Sequence, residues 1–149
     1  MKKAIVIGAT SGLGREIAMN LVREGWSVGV AGRRVELLDG FAVYERIDVT
    51  TEDAVNGVER LVEKLGGMDL FVNVAGVGFQ NPILDPKVEK HTFDVNGYGF
   101  MRMVDWAYNY FKATRQPLSP TDSSPKTGEQ YEREGHIAII SSIAGTKPL

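Results

Sequence analysis

The sequence predicts an α/β fold in which a parallel sheet is covered by helices on both faces. Three observations carry this reading. Short apolar runs, such as residues 4–7 and 70–74, alternate with longer segments that have a single apolar face. The runs are continuously apolar, as strands buried on both sides should be. Glycines stand at the ends of several runs, where they act as punctuation.

The elements follow in order. The first strand is expected at 4–7. A helix starts near Gly12, with Leu13, Ile17 and Leu21 at four-residue spacing and Ala18 and Val22 beside them. Glu24-Gly25 ends it, with Gly25 in the usual capping place. A second strand covers 27–31, a short helix surrounds 35–38, and a third strand covers 43–47. Thr50 and Asp53 resemble a capping box that opens a helix carrying Val55, Val58, Val62 and Leu65 on one face. Gly66-Gly67 stops it, and a fourth strand follows at 70–74. The spacing predicts a long helix over 93–112, with Phe100, Val104, Tyr108 and Phe111 inward. A fifth strand is expected at 136–141. Residues 117–130 hold three prolines, three serines and almost nothing apolar. They read as a polar, mobile loop inserted before the fifth strand of one domain.

Composition narrows the function classes. At 149 residues the chain has the size of a single domain and can own a real core. It is 43% hydrophobic and 24% charged, with a net charge of −2, so no basic nucleic-acid surface is expected. The absence of cysteine rules out disulfides and thiolate sites and fits a reducing compartment, so the expected location is cytoplasmic. Met1-Lys2-Lys3 loosely mimics the start of a signal peptide. The apolar run that follows is too short for one and is broken by Gly8. No stretch approaches ~20 apolar residues, so no membrane span is expected.

The strongest chemical signal is Gly8-Ala9-Thr10-Ser11-Gly12-Leu13-Gly14, placed after a strand and opening a helix. A pyrophosphate sits well at a helix N-terminus, where unpaired N–H groups and the helix dipole favour an anion. Gly8 can supply the sharp turn, Gly12 a close approach to phosphate, and Gly14 the packing of helix on strand. Ser11 can cap the helix or hydrogen-bond a phosphate. After the second strand comes Ala31-Gly32-Arg33-Arg34. Folds that choose NAD place an acid here for the ribose hydroxyls. An arginine offers a fork for a 2′-phosphate instead, which points to NADP(H), with Arg33 the leading residue and Arg34 a helper. The plainer reading is two solvated arginines.

The spacing G-x-x-x-G-x-G resembles the short-chain dehydrogenase/reductase family, and other segments agree in order. The resemblance implies a Rossmann-like three-layer α/β/α sandwich with a sheet of about five strands in the order 3-2-1-4-5. It assigns the adenine edge to Asp48, beside Val49. Asn73-Val74-Ala75-Gly76 resembles the family's Asn-Asn-Ala-Gly, with Val74 a departure. There the small Ala75 and Gly76 would let the ribose approach the backbone. Phe93-Asp94-Val95-Asn96-Gly97 resembles the segment with the active-site asparagine, so Asn96 would hold a kinked helix and a water of the proton relay. Residues 139–145 match the fifth strand and its exit, where Ser142 would orient the substrate carbonyl. The family's catalytic Tyr, with a Lys four residues on, is expected about a dozen residues later, and the chain ends at Leu149. None of Tyr44, Tyr98, Tyr108, Tyr110 and Tyr131 is assigned to that role.

Three readings stay open. The first is the front part of an NADP(H)-dependent oxidoreductase acting on a carbonyl or alcohol, inactive as this chain alone. The second is a module that binds nucleotide or a partner without catalysis, and the third is a remnant without function. A homo-oligomer is expected through the long helix, which adds Met101, Met103, Trp106 and Tyr110 to its core stripe, or through an exposed fifth-strand edge. The methionines and aromatics can equally be core. No metal site is expected: His91 and His136 have no partner at ligand spacing.

Overall fold

In the computed structural model, which describes residues 1–114 and 135–140, β1 (Lys3–Ile7) is the central strand of a parallel sheet. It pairs with β2 (Ser27–Gly32) on one side and β4 (Leu70–Asn73) on the other. Next to these lie β3 (Val43–Arg46) and β5 (His136–Ile139), giving the order β3-β2-β1-β4-β5. The apolar run of β1 is explained by its neighbours. Ile5 and Ile7 point into one helix layer and Val6 into the other, and all three are fully buried.

Helix α1 (Gly12–Arg23) covers one face, against Val6, Val28, Val30 and Val72. Helices α2 (Ala54–Leu65) and α4 (Phe100–Thr114) cover the other, against Ile5, Ile7 and Phe71. The expected three-layer architecture and strand order are therefore present. A single 3-10 turn, Val35–Leu37, stands where the short helix was expected. Among the described residues no helix is long and apolar enough to cross a membrane.

Several local expectations are corrected. In α1, Leu13 and Val22 are exposed, and the buried positions are Gly14 and Ala18, flanked by Ile17 and Leu21. Thr50 and Asp53 form no capping box. The Thr50 hydroxyl is spent on the Asp48 carboxylate at 2.7 Å, and Asp53, at the N-cap of α2, makes no side-chain cap bond. Asp53 instead accepts from Asn56 and Arg60. In α2 the buried stripe includes Leu61, whereas Val55 is only partly buried.

The long helix differs most. It begins as α3 (Pro86–Phe93), whose N-cap Asp85 accepts from the Lys87 N–H and whose Pro86 suits the first turn. It passes through a π-helical segment, Asp94–Gly99, before α4. A π turn inserts extra residue length and rotates the face of everything that follows. The inward set is Val95, Gly99, Met103, Ala107 and Phe111, so that Phe111 lies inward as expected. Tyr108, expected inside, is 60% exposed. Met103 is core, and Trp106 and Tyr110 pack against the core, while Met101 stays exposed. The loop at 117–130 and the serines at 141 and 142 lie outside the described residues.

Candidate functional site

Glycine chemistry shapes the phosphate turn. Gly8 leaves β1 with φ of +91°, and its N–H bonds the Ala31 carbonyl at 2.8 Å. A Cβ on Gly8 would lie 2.7 Å from the Ala75 nitrogen, and one on Gly14 would lie 2.2 Å from the Gly8 carbonyl oxygen. Both positions are thus closed to any larger residue, and the turn is held tight between β1, β4 and α1. Gly12, at φ +55°, has no atom within 4 Å of a notional Cβ, so its surroundings are open. Ser11 occupies the N-cap position of α1 but makes no cap bond with its side chain. The first-turn N–H groups of a helix have no intrahelical acceptor, so an uncapped start leaves them for an anion.

The turn opens on a cleft of about 340 Å³ at the carboxyl ends of the strands. That is the size range of small-molecule sites, and its place is where the strand order reverses about β1. Of the residues singled out in the sequence, Gly8, Thr10, Ser11, Leu13, Gly14, Arg33, Arg34, Asp48, Val49, Ala75 and Gly76 line it. Gly12, Asn73 and Asn96 stand beside it without lining it, and Ser142 lies outside the described residues. Ile47, Val74, Val77 and Val95 also line the cleft. These carry no chemical signature of their own; their only signal was adjacency to the motifs.

Arg34 and Arg33 play different parts. The Arg34 guanidinium donates to the Thr10 hydroxyl at 3.3 Å and the Ser11 hydroxyl at 3.2 Å. Among the described residues it makes no ion pair with a carboxylate, so its charge stands uncompensated over the turn. Gly32 lets this happen, because a Cβ there would meet the Thr10 methyl at 2.3 Å. Arg33 lies toward Asp48. Burial raises the Asp48 pKa, but the hydroxyl and N–H of Thr50, with the nearby charges of Arg33 and His91, outweigh it and hold the carboxyl below its ordinary range.

Asn96 sits in the π segment. Its amide oxygen accepts the Val77 N–H at 2.8 Å and its amide nitrogen donates to the Val77 carbonyl at 2.6 Å. Both halves of the side chain are spent on one backbone unit of the cleft wall. Asn73, at the end of β4, is buried. Its oxygen accepts the Ala75 N–H at 3.4 Å, and its amide nitrogen has no partner among the described residues. One tyrosine does have a lysine four residues on: Tyr108 and Lys112 share that spacing. Both are exposed on α4, and neither lines the cleft, so the pair supplies no proton donor there.

A cleft at the carboxyl ends of a doubly wound parallel sheet, floored by a glycine turn and a helix start, defines a Rossmann-type α/β protein. Comparison with known proteins makes the class specific. The family described as short chain dehydrogenase matches residues 2–149, and the chain belongs to that family. It is similar to the 3-oxoacyl-(acyl-carrier-protein) reductase FabG of Staphylococcus aureus, at 29% identity over 97% of this chain and 57% of the relative. Among solved structures it resembles an actinorhodin polyketide ketoreductase with NADPH, at 26% identity and a TM-score of 0.75, over 99% of this chain and 56% of the other. A 3-ketoacyl-(acyl-carrier-protein) reductase of Brucella melitensis complexed with NADH shares the fold, with 24% identity and a TM-score of 0.77, over 99% of this chain and 59% of the other. The chain thus spans a little over half the length of these relatives.

Proposed function

We propose that the chain is the nucleotide-binding portion of an NADP(H)-dependent oxidoreductase that acts on a carbonyl or alcohol. One observation carries the choice of nucleotide: two arginines and no acid leave β2, and the charge of Arg34 is uncompensated beside the phosphate turn. Relatives of this fold are known with either nucleotide, so the discrimination rests on these residues of the chain itself. The residues present fit the group. The closed glycine turn would take the pyrophosphate, Arg33 and Arg34 the 2′-phosphate, Asp48 the adenine edge, and Ala75 and Gly76 the ribose beside the nicotinamide. Once bound, the nicotinamide would supply or accept the hydride. Asn96 fixes the cleft wall at Val77.

Among the described residues the cleft is lined by no tyrosine–lysine pair, so the reading proposed for this portion is nucleotide binding without turnover of its own. A second copy of the chain is the proposed partner, seated on α4 and the turn before it, where Met101 and Tyr98 are exposed, or on β5, the outer strand among the described residues, where Ile139 and Ile140 are exposed. A monodisperse monomer in light scattering would contradict this. The test of the function is a fluorescence titration with NADPH and with NADH. Tighter binding of NADPH, lost in Arg33→Ala and in Arg34→Ala, supports the reading. Equal affinities, or none, would refute it.

A further inference from the structure

We propose that Arg15, which does not line the cleft, is a positioning residue for nucleotide selection: it holds the arginine-bearing loop after β2 at a fixed distance from the phosphate turn. The proposal rests on the NADP(H) reading above. Arg15 lies in the first turn of α1, one residue beyond Gly14. Its side chain leaves the helix and donates to the Leu37 carbonyl at 2.5 Å, and its guanidinium stacks over the Phe41 ring at 5.6 Å from the centroid. The loop between β2 and Leu38 is thereby pinned along its length. Arg46 donates to the Arg33 carbonyl at 3.3 Å, Arg34 reaches Thr10 and Ser11, Arg15 holds Leu37, and Leu38 is fully buried.

The Arg15 contact differs from the others in what it joins. It ties the helix that carries Gly12 and Gly14 to the far end of the segment that carries Arg33 and Arg34. The phosphate turn and the candidate 2′-phosphate site are thus two ends of one braced unit. Fixing a loop in its binding geometry before the ligand arrives removes an ordering cost from binding. Where only a fraction of molecules hold the competent geometry, apparent affinity falls by that fraction. Releasing the brace should therefore weaken the nucleotide that needs the arginines, and spare the one that does not.

The test uses Arg15→Met, which keeps an unbranched stem for Phe41 but has no donor, with Arg23→Ala on the exposed end of α1 as control. In the nucleotide-free protein, amide exchange at Leu37 and Leu38, whose N–H groups bond the Arg34 and Val35 carbonyls, should speed up roughly tenfold in Arg15→Met only. The NADPH dissociation constant should rise about tenfold, while that for NADH stays within about twofold. The loss should persist at about 0.5 M salt, where a mere change of net charge is screened. Unchanged exchange overturns the proposal. So does an equal loss for both nucleotides, or a loss that vanishes in salt. If the parent protein shows no preference for NADPH, the functional reading fails first and takes this proposal with it. Faster exchange with an intact preference would sink the proposal alone.

Discussion

Asn96 and Val77 are joined by two hydrogen bonds, one in each direction, at 2.8 and 2.6 Å. The pair ties the π segment to the strand exit that forms the cleft wall. Asn96→Ala removes both bonds and should cost about 1–3 kcal/mol, read as a lowered urea midpoint with unchanged slope. It should also weaken NADPH and NADH alike, because the wall serves both. Asn96→Asp keeps the acceptor and loses the donor, so it should fall between. A stability unchanged in Asn96→Ala would contradict this account of the wall.

The glycines of the phosphate turn should separate by experiment. Gly14→Ala drives a Cβ into the Gly8 carbonyl, a backbone atom that cannot step aside, and should cost about 3 kcal/mol or more. Gly12→Ala meets open space and bears only the strain of a left-handed conformation, about 1–2 kcal/mol. Chemical denaturation of the two variants checks the order, and a reversed order would show the turn to be differently packed.

The Asp48 carboxyl contributes to acid stability with a definite sign. Its pKa is lowered on folding, so its contribution is present above the ordinary carboxylate value of 3.8 and is lost as pH falls below it. Thr50→Val deletes the hydroxyl bond and keeps the N–H bond, so the Asp48 pKa should move up toward its ordinary value. An NMR titration of the Asp48 carboxyl in both proteins reads this directly. Identical titration curves would remove the hydroxyl from the explanation.

The phase of α4 predicts two unequal truncations. Met103 is fully buried, so Met103→Ala should cost about 2–5 kcal/mol. Tyr108 is mostly exposed, so Tyr108→Ala should stay within about 0.5 kcal/mol. Equal costs would mean that the inward stripe had been misplaced.

What was legible in the sequence follows from what is local. Ile5, Val6 and Ile7 announce a strand because both faces of the sheet are buried, and Gly8 to Gly14 announce a turn because their spacing is short and contiguous. The inward face of α4 was legible only at Phe111: the bulky Phe100, Val104 and Tyr108 drew the expected stripe, whereas the stripe that reaches the core runs through Met103 and the small Ala107. The capping box at Thr50 failed because that hydroxyl had a better acceptor two residues back, in Asp48. Most of the candidate site could be named residue by residue. The division of labour between Arg34 and Arg33 could not, because it depends on Thr10 and Ser11, which lie 24 and 23 residues from Arg34 in the chain. The Arg15 brace is hidden for the same reason: its partner is the carbonyl of Leu37, and no side chain signals it.

The central claim is that the cleft between the phosphate turn and the loop after β2 holds a nicotinamide nucleotide. The most direct measurement is an amide NMR titration of the intact protein with NADPH. The account predicts shifts concentrated at Gly8, Ser11 to Gly14, Arg33, Arg34, Ala75 and Gly76, with α4 beyond Met103 unmoved. Shifts absent from the phosphate turn, or centred elsewhere, would contradict it.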